Sequence, residues 1–202
     1  MYDTSNIQAV CMQDRRPNAV RRSETQAALL AAARALFLEK GYAETGTPEV
    51  VDRAGMTRGA LYHHFKDKMA LFRGVVESEA AEVARVIETC TREAATPMDA
   101  LLRGAEVYFE VMKHPGRVRL LLLDGPAVLG AEAMREIDLQ TGGGALRDGL
   151  ATALGRDVPV SEVEALADLV SAMFDRAALA GDSGAEAAPY EAALARLLGA
   201  IM

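Results

Sequence analysis

The chain has 202 residues, is half hydrophobic and a quarter charged, and carries a net charge of −7. Glycine follows no collagen period and only Cys11 and Cys90 occur, so fibrous and disulfide-stapled scaffolds are excluded and one folded core, or a small domain joined to a larger one, is expected. No apolar run approaches the roughly 20 residues of a spanning helix, and residues 1–20 lack the charged start and apolar centre of a secretory leader, so a cytoplasmic protein with no membrane role is expected.

The charge is unevenly spread. Residues 1–73 carry a net +3 and residues 74–202 a net −10. A basic N-terminal third on an acidic protein points to two roles in one chain and keeps nucleic acid open as a partner.

In chain order, residues 1–22 read as a flexible basic tail with Arg15, Arg16, Arg21 and Arg22, and with Met12 as an alternative start. A first helix is expected over 24–40, because Leu29, Ala32, Ala33, Leu36 and Phe37 fall on one helical face. Gly41 stops it. Thr47 is expected to cap a second helix of two turns, with Pro48 in its first position and Gly55 at its end. Thr57 caps a third. Met56 before it and Leu61 at its fourth position form a hydrophobic staple, while Leu61 and Phe65 face inward. Asp67 opens a long fourth helix to about residue 91, striped by Leu71, Phe72, Val75, Val76 and Val83. Thr96-Pro97-Met98-Asp99 opens a helix to about residue 113, and His114-Pro115-Gly116 breaks it. A short apolar helix is expected over 117–123, closed by Asp124-Gly125-Pro126. One helix is expected over 132–154, kinked at Gly142-Gly143-Gly144. Ser161 and Ser183, each followed by Glu three residues on, open the last two helices. No strand pattern survives. The fold class is all-α with about nine helices.

The second and third helices, joined at Gly55, form a helix-turn-helix. The third leaves Arg58, Gly59, Ala60, Tyr62 and His63 outside. Arg58 has the two donors that read guanine O6 and N7, and Ala60 can touch a thymine methyl. Gly59 lets the backbone approach the groove. Thr47, Thr57, Tyr62, His63 and Lys68 can hold phosphates or the helix ends that face them. His64 lies about 100° round the helix from His63 and either packs on a neighbouring helix or reaches a phosphate.

These residues carry a resemblance. Residues 22–76 resemble the DNA-binding domain of the TetR/AcrR family of transcriptional regulators. The matching stretches are Ala32-Ala33-x-x-Leu36-Phe37, Gly41-Tyr42-x-x-Thr45, the run Ala54-Gly55-Met56-Thr57-Arg58-Gly59-Ala60-Leu61-Tyr62-His63-His64-Phe65, then Lys68 and Leu71-Phe72. Gly46 and Val51-Asp52 depart from the family pattern and leave the motif intact. Leu120 to Gly130, followed by Arg135-Glu136-Ile137-Asp138, resembles a subgroup of the same family.

The resemblance implies a helix-turn-helix DNA-binding domain over 23–68 and a helical ligand-binding and dimerisation domain over 69–202. It implies a homodimer that holds a palindromic operator and releases it when a small-molecule effector binds; activation in place of repression stays open. The dimer is expected to form through Leu166, Val170, Met173 and Ala177 of the penultimate helix and Leu194 and Leu198 of the last, as a four-helix bundle. The ligand pocket is expected among Tyr108, Met112, Leu122, Met134, Ile137 and Phe174, with His114 and Asp138 as polar anchors. An enzyme is not expected: two of the three histidines sit on the third helix and no phosphate-binding loop or dinucleotide fingerprint occurs. Neither a cofactor nor a metal is expected, since adjacent His63 and His64 cannot face one ion on a regular helix. The competing function is a helical dimer that binds a small molecule or a protein and has only a secondary DNA role.

Overall fold

The computed structural model describes residues 18–155, 157–184 and 187–201. Among them the chain is all-helical: ten α-helices and one π-helical segment, with no strand. No helix is long and apolar enough to cross a membrane among the described residues.

Helix α1 spans Asn18–Glu44. It begins before residue 24, so residues 18–22 of the expected tail are helical. The Ser23 and Thr25 hydroxyls donate back to the Val20 and Arg21 carbonyls at 3.0 and 2.8 Å and hold these first turns. Cys11, Met12, Arg15 and Arg16 lie outside the described residues. Gly41, at φ 82°, breaks the helix near its end. Helix α2 (Thr47–Ala54) is capped by Gly46 in extended conformation, and Thr47 is its first residue, not its cap. A Thr-Pro pair fits either register, because proline is tolerated throughout a helix's first turn. Helix α3 (Arg58–His64) is capped by Thr57, whose hydroxyl accepts from the Ala60 N–H at 3.1 Å. Helix α4 (Lys68–Thr91) is capped by Asp67, which accepts from the Ala70 N–H at 2.7 Å.

Helix α5 (Pro97–Met112) starts at Thr96 as expected. The short apolar helix differs from expectation. Arg119–Asp124 is a π-helical segment, and it runs on into α6 (Gly125–Leu129) where a stop at Asp124-Gly125-Pro126 was anticipated. Pro126 sits in the first turn of α6, where its missing N–H is harmless. The single helix expected over 132–154 is two helices, α7 (Ala131–Leu139) and α8 (Gly142–Leu154), separated at Thr141. The glycines do more than kink. A Cβ on Gly143 would overlap the Asp138 carboxylate, and one on Gly144 would overlap the Leu139 carbonyl, so α7 and α8 meet more tightly than a continuous helix allows. Helix α9 (Val160–Asp182) opens on Pro159, whose carbonyl takes the Glu162 and Val163 N–H groups at 3.0 and 3.1 Å; Ser161 lies inside the helix. Ser183 closes α9, and α10 runs Ala187–Ile201.

The main core joins the three N-terminal helices to α4 and continues into the second half. Leu29, Leu36, Phe37, Val50, Leu61, Phe72 and Val76 pack in one cluster with Met112, Leu120 and Ile137. Two smaller clusters lie beyond it. Phe109, Val170, Phe174, Ala177, Leu194 and Leu198 unite α5, α9 and α10. Leu101, Leu150, Val163 and Ala167 unite α5, α8 and α9.

A buried ionic knot ties α4 to α1 and to the connection that follows α5. Glu79 on α4 receives Arg34 Nε of α1 at 2.8 Å and Arg117 Nε of the α5–π connection at 2.9 Å. Arg117 is only 7% exposed and also donates to the Val111 carbonyl at 2.9 Å. Arg34 donates further to the Pro115 carbonyl at 2.9 Å and to His114 Nδ1 at 3.0 Å. An arginine has no lone pair to offer, so His114 Nδ1 is the acceptor of this bond. Arg119 reaches back to the Leu38 carbonyl of α1 at 3.0 Å, with its Nε 3.0 Å from Asp124 Oδ2.

Candidate nucleic-acid interface and effector region

The reading head is built by its turn. Gly55, at φ 63° and ψ 31°, sits in the left-handed region that a residue with a Cβ enters at a cost. Its N–H and that of Met56 close α2 onto the Asp52 and Val51 carbonyls at 3.2 and 2.9 Å. The chain then turns at once into α3. Leu61 is fully buried and Phe65 is 6% exposed, and these two anchors turn the opposite face outward. Arg58, Gly59, Tyr62 and His63 are exposed and Ala60 is half-exposed, as the spacing predicts.

Thr47 and Tyr62 come together across the motif, with Thr47 Oγ1 3.3 Å from the phenol oxygen. Hydrogen bonds from Thr47 and from Arg58 hold the Tyr62 phenol below its ordinary pKa of 10.0. The N-terminus of α2 and the first residue of α3 therefore share one tyrosine. His64 is half-buried beside Phe65, and burial, with the charges of His63 and Arg22, lowers its pKa below 6.5. The His64 ring centroid lies 6.2 Å from that of Phe65, its sequence neighbour. Lys68, expected to face a phosphate, donates its ammonium in the free protein to the Tyr42 and Ala43 carbonyls at 2.9 and 3.1 Å.

The second half gathers some of the expected pocket residues and disperses others. The Tyr108 hydroxyl donates to Asp175 Oδ1 at 2.8 Å, and Phe174 stacks on Tyr108 and Phe109 with ring centroids 5.5 and 5.8 Å away. Burial pushes the Asp175 carboxyl up to about 6 against the Tyr108 hydrogen bond, with the Asp138 charge adding to the rise. Burial likewise raises Asp138, opposed by hydrogen bonds from the Gly143 N–H and the Ser171 hydroxyl, the latter at 3.4 Å. Burial and the Asp175 charge raise the Tyr108 phenol well above its ordinary range. Tyr108, Asp138 and Phe174 thus surround one buried polar patch between α5, α7 and α9. Met112, Leu122, Met134 and Ile137 instead belong to the main core beside it. His114 is exposed at the junction with Arg34 and does not anchor this patch. Ser171 was missed; its signal is a spacing of four from Asp175, which puts both on one face of α9.

The expected dimer residues divide in the same way. Val170, Ala177, Leu194 and Leu198 are buried inside one chain, where they pack α9 against α10 and α5. Leu166 and Met173 are half-buried. The apolar side chains left outside on these helices are Leu169, 61% exposed, and Leu197, 48% exposed. They belong to a second stripe, one position round from the first.

An exposed recognition helix held by a left-handed glycine turn, on a three-helix head packed against a helical second half, defines a helix-turn-helix regulator of transcription. Comparison with known proteins narrows the class. The pattern of bacterial regulatory proteins of the tetR family matches residues 29–75, and that of the tetracyclin repressor-like C-terminal domain matches residues 98–201. A TetR-family transcriptional regulator from Pectobacterium atrosepticum is 30% identical, with a TM-score of 0.60 over 93% of this chain and 96% of its own. The HTH-type transcriptional activator FasR of Mycolicibacterium smegmatis is 26% identical over 128 residues, and the repressor BepR of Brucella suis is 43% identical over 54. The match spans 63% of this chain and 58% of FasR, and 27% of this chain and 26% of BepR. The chain belongs to the TetR family: it is a DNA-binding transcriptional regulator of a family whose members are commonly repressors.

Proposed function

We propose that the protein represses transcription as a homodimer on a palindromic operator and lets go when a small molecule enters the second half. The observation that carries this reading is the outward face of α3. Arg58 stands at its N-terminal end with Tyr62 one turn on, and Thr47 on α2 completes the set. Arg58 reads a guanine; Thr47, Tyr62 and His63 hold flanking phosphates; Gly59 and Ala60 keep the groove clear. One seven-residue helix reads too few bases alone, so two copies about 34–36 Å apart are needed.

The outer stripe of α9 and α10 supports the dimer. Leu169 and Leu197, with half-buried Leu166 and Met173 and exposed Ala165, Ala172 and Ala193, offer a surface on which helices approach closely. The effector site is the polar patch of Tyr108, Asp138, Ser171 and Asp175 walled by Phe174; opening it rotates α9 against α5 and resets the angle between the heads.

The test is selection of duplexes from a random-sequence library by the purified protein, followed by anisotropy on the recovered sequence at several salt concentrations. A palindrome with half-sites one turn apart, bound steeply less tightly as salt rises, is the expected result. Recovery of no common sequence would refute the operator-binding reading. Small molecules extracted from the purified protein, added back to the complex, test the release step.

A further inference from the structure

Charge around the patch of Tyr108, Asp138 and Asp175 is out of balance. Asp138 on α7 and Asp175 on α9 converge from two helices: Asp175 feels the Asp138 charge, and Asp138 feels that of Asp168. Among the described residues no lysine, arginine or histidine forms an ion pair or hydrogen bond with Asp138 or Asp175. Arg117 and Glu79 show the contrast, since they neutralise each other at 2.9 Å. The partners that the two acids do have are few and neutral. Asp175 accepts from the Tyr108 hydroxyl at 2.8 Å, and Asp138 accepts from the Ser171 hydroxyl at 3.4 Å and from the Gly143 N–H. An ionised carboxylate has about four lone-pair sites, so much of the pair's acceptor capacity is unused. Burial holds both carboxyls up, so ionising either one in the empty protein costs stability. Asp138, Ser171 and Asp175 are each only half-buried, so the patch is open on one side.

A second feature adjoins the carboxyls. Tyr108, Phe109 and Phe174 pack as three mutually touching rings, with centroids 5.6, 5.5 and 5.8 Å apart. The face of an aromatic ring is negative and attracts cations. Rings and carboxylates therefore favour the same sign of charge. An anion entering here would meet two carboxylates and no cation, and a neutral molecule would leave both acids without a countercharge. We propose that the effector is an organic cation, an amine or quaternary ammonium with an apolar body, whose charge lies between Asp138 and Asp175 and whose body lies against Phe174 and Tyr108. The proposal rests on the reading of this patch as the effector site. Such a ligand supplies the countercharge that the fold withholds, so binding relieves the cost of ionising the two acids.

The test uses three probes on one skeleton: phenylbutylamine, phenylbutanol and phenylbutyrate, which are a cation, a neutral molecule and an anion at neutral pH. Calorimetry measures their affinity for the full chain as wild type, D138N, D175N and F174L, at constant salt. The apolar body is common to all three, so the differences between them read charge. On wild type the amine should bind best and the carboxylate worst. Each Asp→Asn exchange keeps the shape of the site and should weaken the amine by about tenfold or more, with the alcohol held within about twofold. F174L removes a ring, fills most of its space, and should weaken all three severalfold. Suppose the alcohol or the carboxylate binds as tightly as the amine, and F174L weakens it. The effector site then stands and the cation is overturned. An amine that binds best but is indifferent to D138N and D175N also overturns the proposal, since its charge is then held elsewhere. Binding that ignores F174L and both Asn variants, or no binding by any probe, removes the patch as the effector site and the proposal with it.

Discussion

Replacing Glu79 with Gln tests the ionic knot between the two halves. The substitution keeps shape and removes charge. The new amide must turn its NH2 toward one of two guanidiniums, so a donor faces a donor at Arg34 or at Arg117, 2.8 and 2.9 Å from the present oxygens. Arg117, 7% exposed, would keep a buried charge with only the Val111 carbonyl to offset it. Breaking a buried pair from one side costs roughly 3–5 kcal/mol. The Arg34 side chain is 23% exposed, so water recovers part of its share and the lower end of that range applies. At about 2–4 °C per kcal/mol for a chain of this size, the melting temperature should fall by roughly 6–12 °C. Acid should erase the difference. Burial alone would raise Glu79, but the hydrogen bonds and charges of Arg34 and Arg117 outweigh it and hold the carboxyl below its ordinary 4.5. A depressed carboxylate contributes its full stability above the unfolded value and loses it as pH falls through the folded value. The gap between wild type and E79Q should therefore be constant above about pH 5.5 and close progressively below pH 4.5. Circular dichroism melts across pH 3.5–7.5 measure it. A gap under about 1 kcal/mol at neutral pH, or one that widens on acidification, would refute the reasoning.

Three further outcomes follow from other sites. Arg58→Ala should cost roughly 1–3 kcal/mol on the selected duplex and relax discrimination at one base pair per half-site, read by anisotropy on single-substituted duplexes; a uniform loss across sequences contradicts a base-reading role. Asp175→Asn keeps the acceptor for Tyr108 and removes a carboxyl raised to about 6 by burial. Because ionising that group opposes folding above its unfolded value, the D175N protein should match wild type near pH 3.5 and exceed it by on the order of 2 kcal/mol at pH 7.5, the gain developing between about pH 4 and 6. Leu169→Asp should leave the fold intact, since the side chain is 61% exposed, and should yield monomers in sedimentation velocity; an unchanged dimer would move the interface off the outer stripe.

What the sequence discloses here depends on how local each cause is. The outward face of α3 was legible because its local signals lie within eleven residues: the Gly55 turn, the Thr57 cap, the inward Leu61 and Phe65. The Thr47 register was not, because Gly46 or Thr47 can precede Pro48 equally well and only the extended backbone at Gly46 decides. The inner stripe of α9 and α10 was hidden for a different reason. Helices α9 and α10 are apolar on two sides, and periodicity cannot say which stripe faces a partner and which faces the chain's own α5. His114 looked like a pocket anchor beside a helix break; its turn points instead to α1, across 80 residues of sequence. Arg34, Glu79 and Arg117 are separated by 45 and 38 positions, so no window along the chain brings them together.

The π-helical segment carries a consequence for chain length. The Gly125 N–H reaches the Leu120 carbonyl, five residues back, so this stretch holds one residue more than an α-turn needs. Leu120 is fully buried and Leu123 is 49% exposed, so the surplus is absorbed on the outer side. A one-residue deletion among 121–123 should relax the segment to an ordinary helix without breaking it. A π-turn spends one extra residue on the same full rotation, so the elements on either side would keep nearly their present relative orientation. Arg119 would keep its place on the Leu38 carbonyl, and Val128, Leu129 and Met134 would stay against the core they now pack on. A deletion in these six positions is absorbed in phase, whereas one inside a regular α-helix turns everything beyond it by about 100°, so relatives of this chain should vary in count here far more readily than within the neighbouring α-helices.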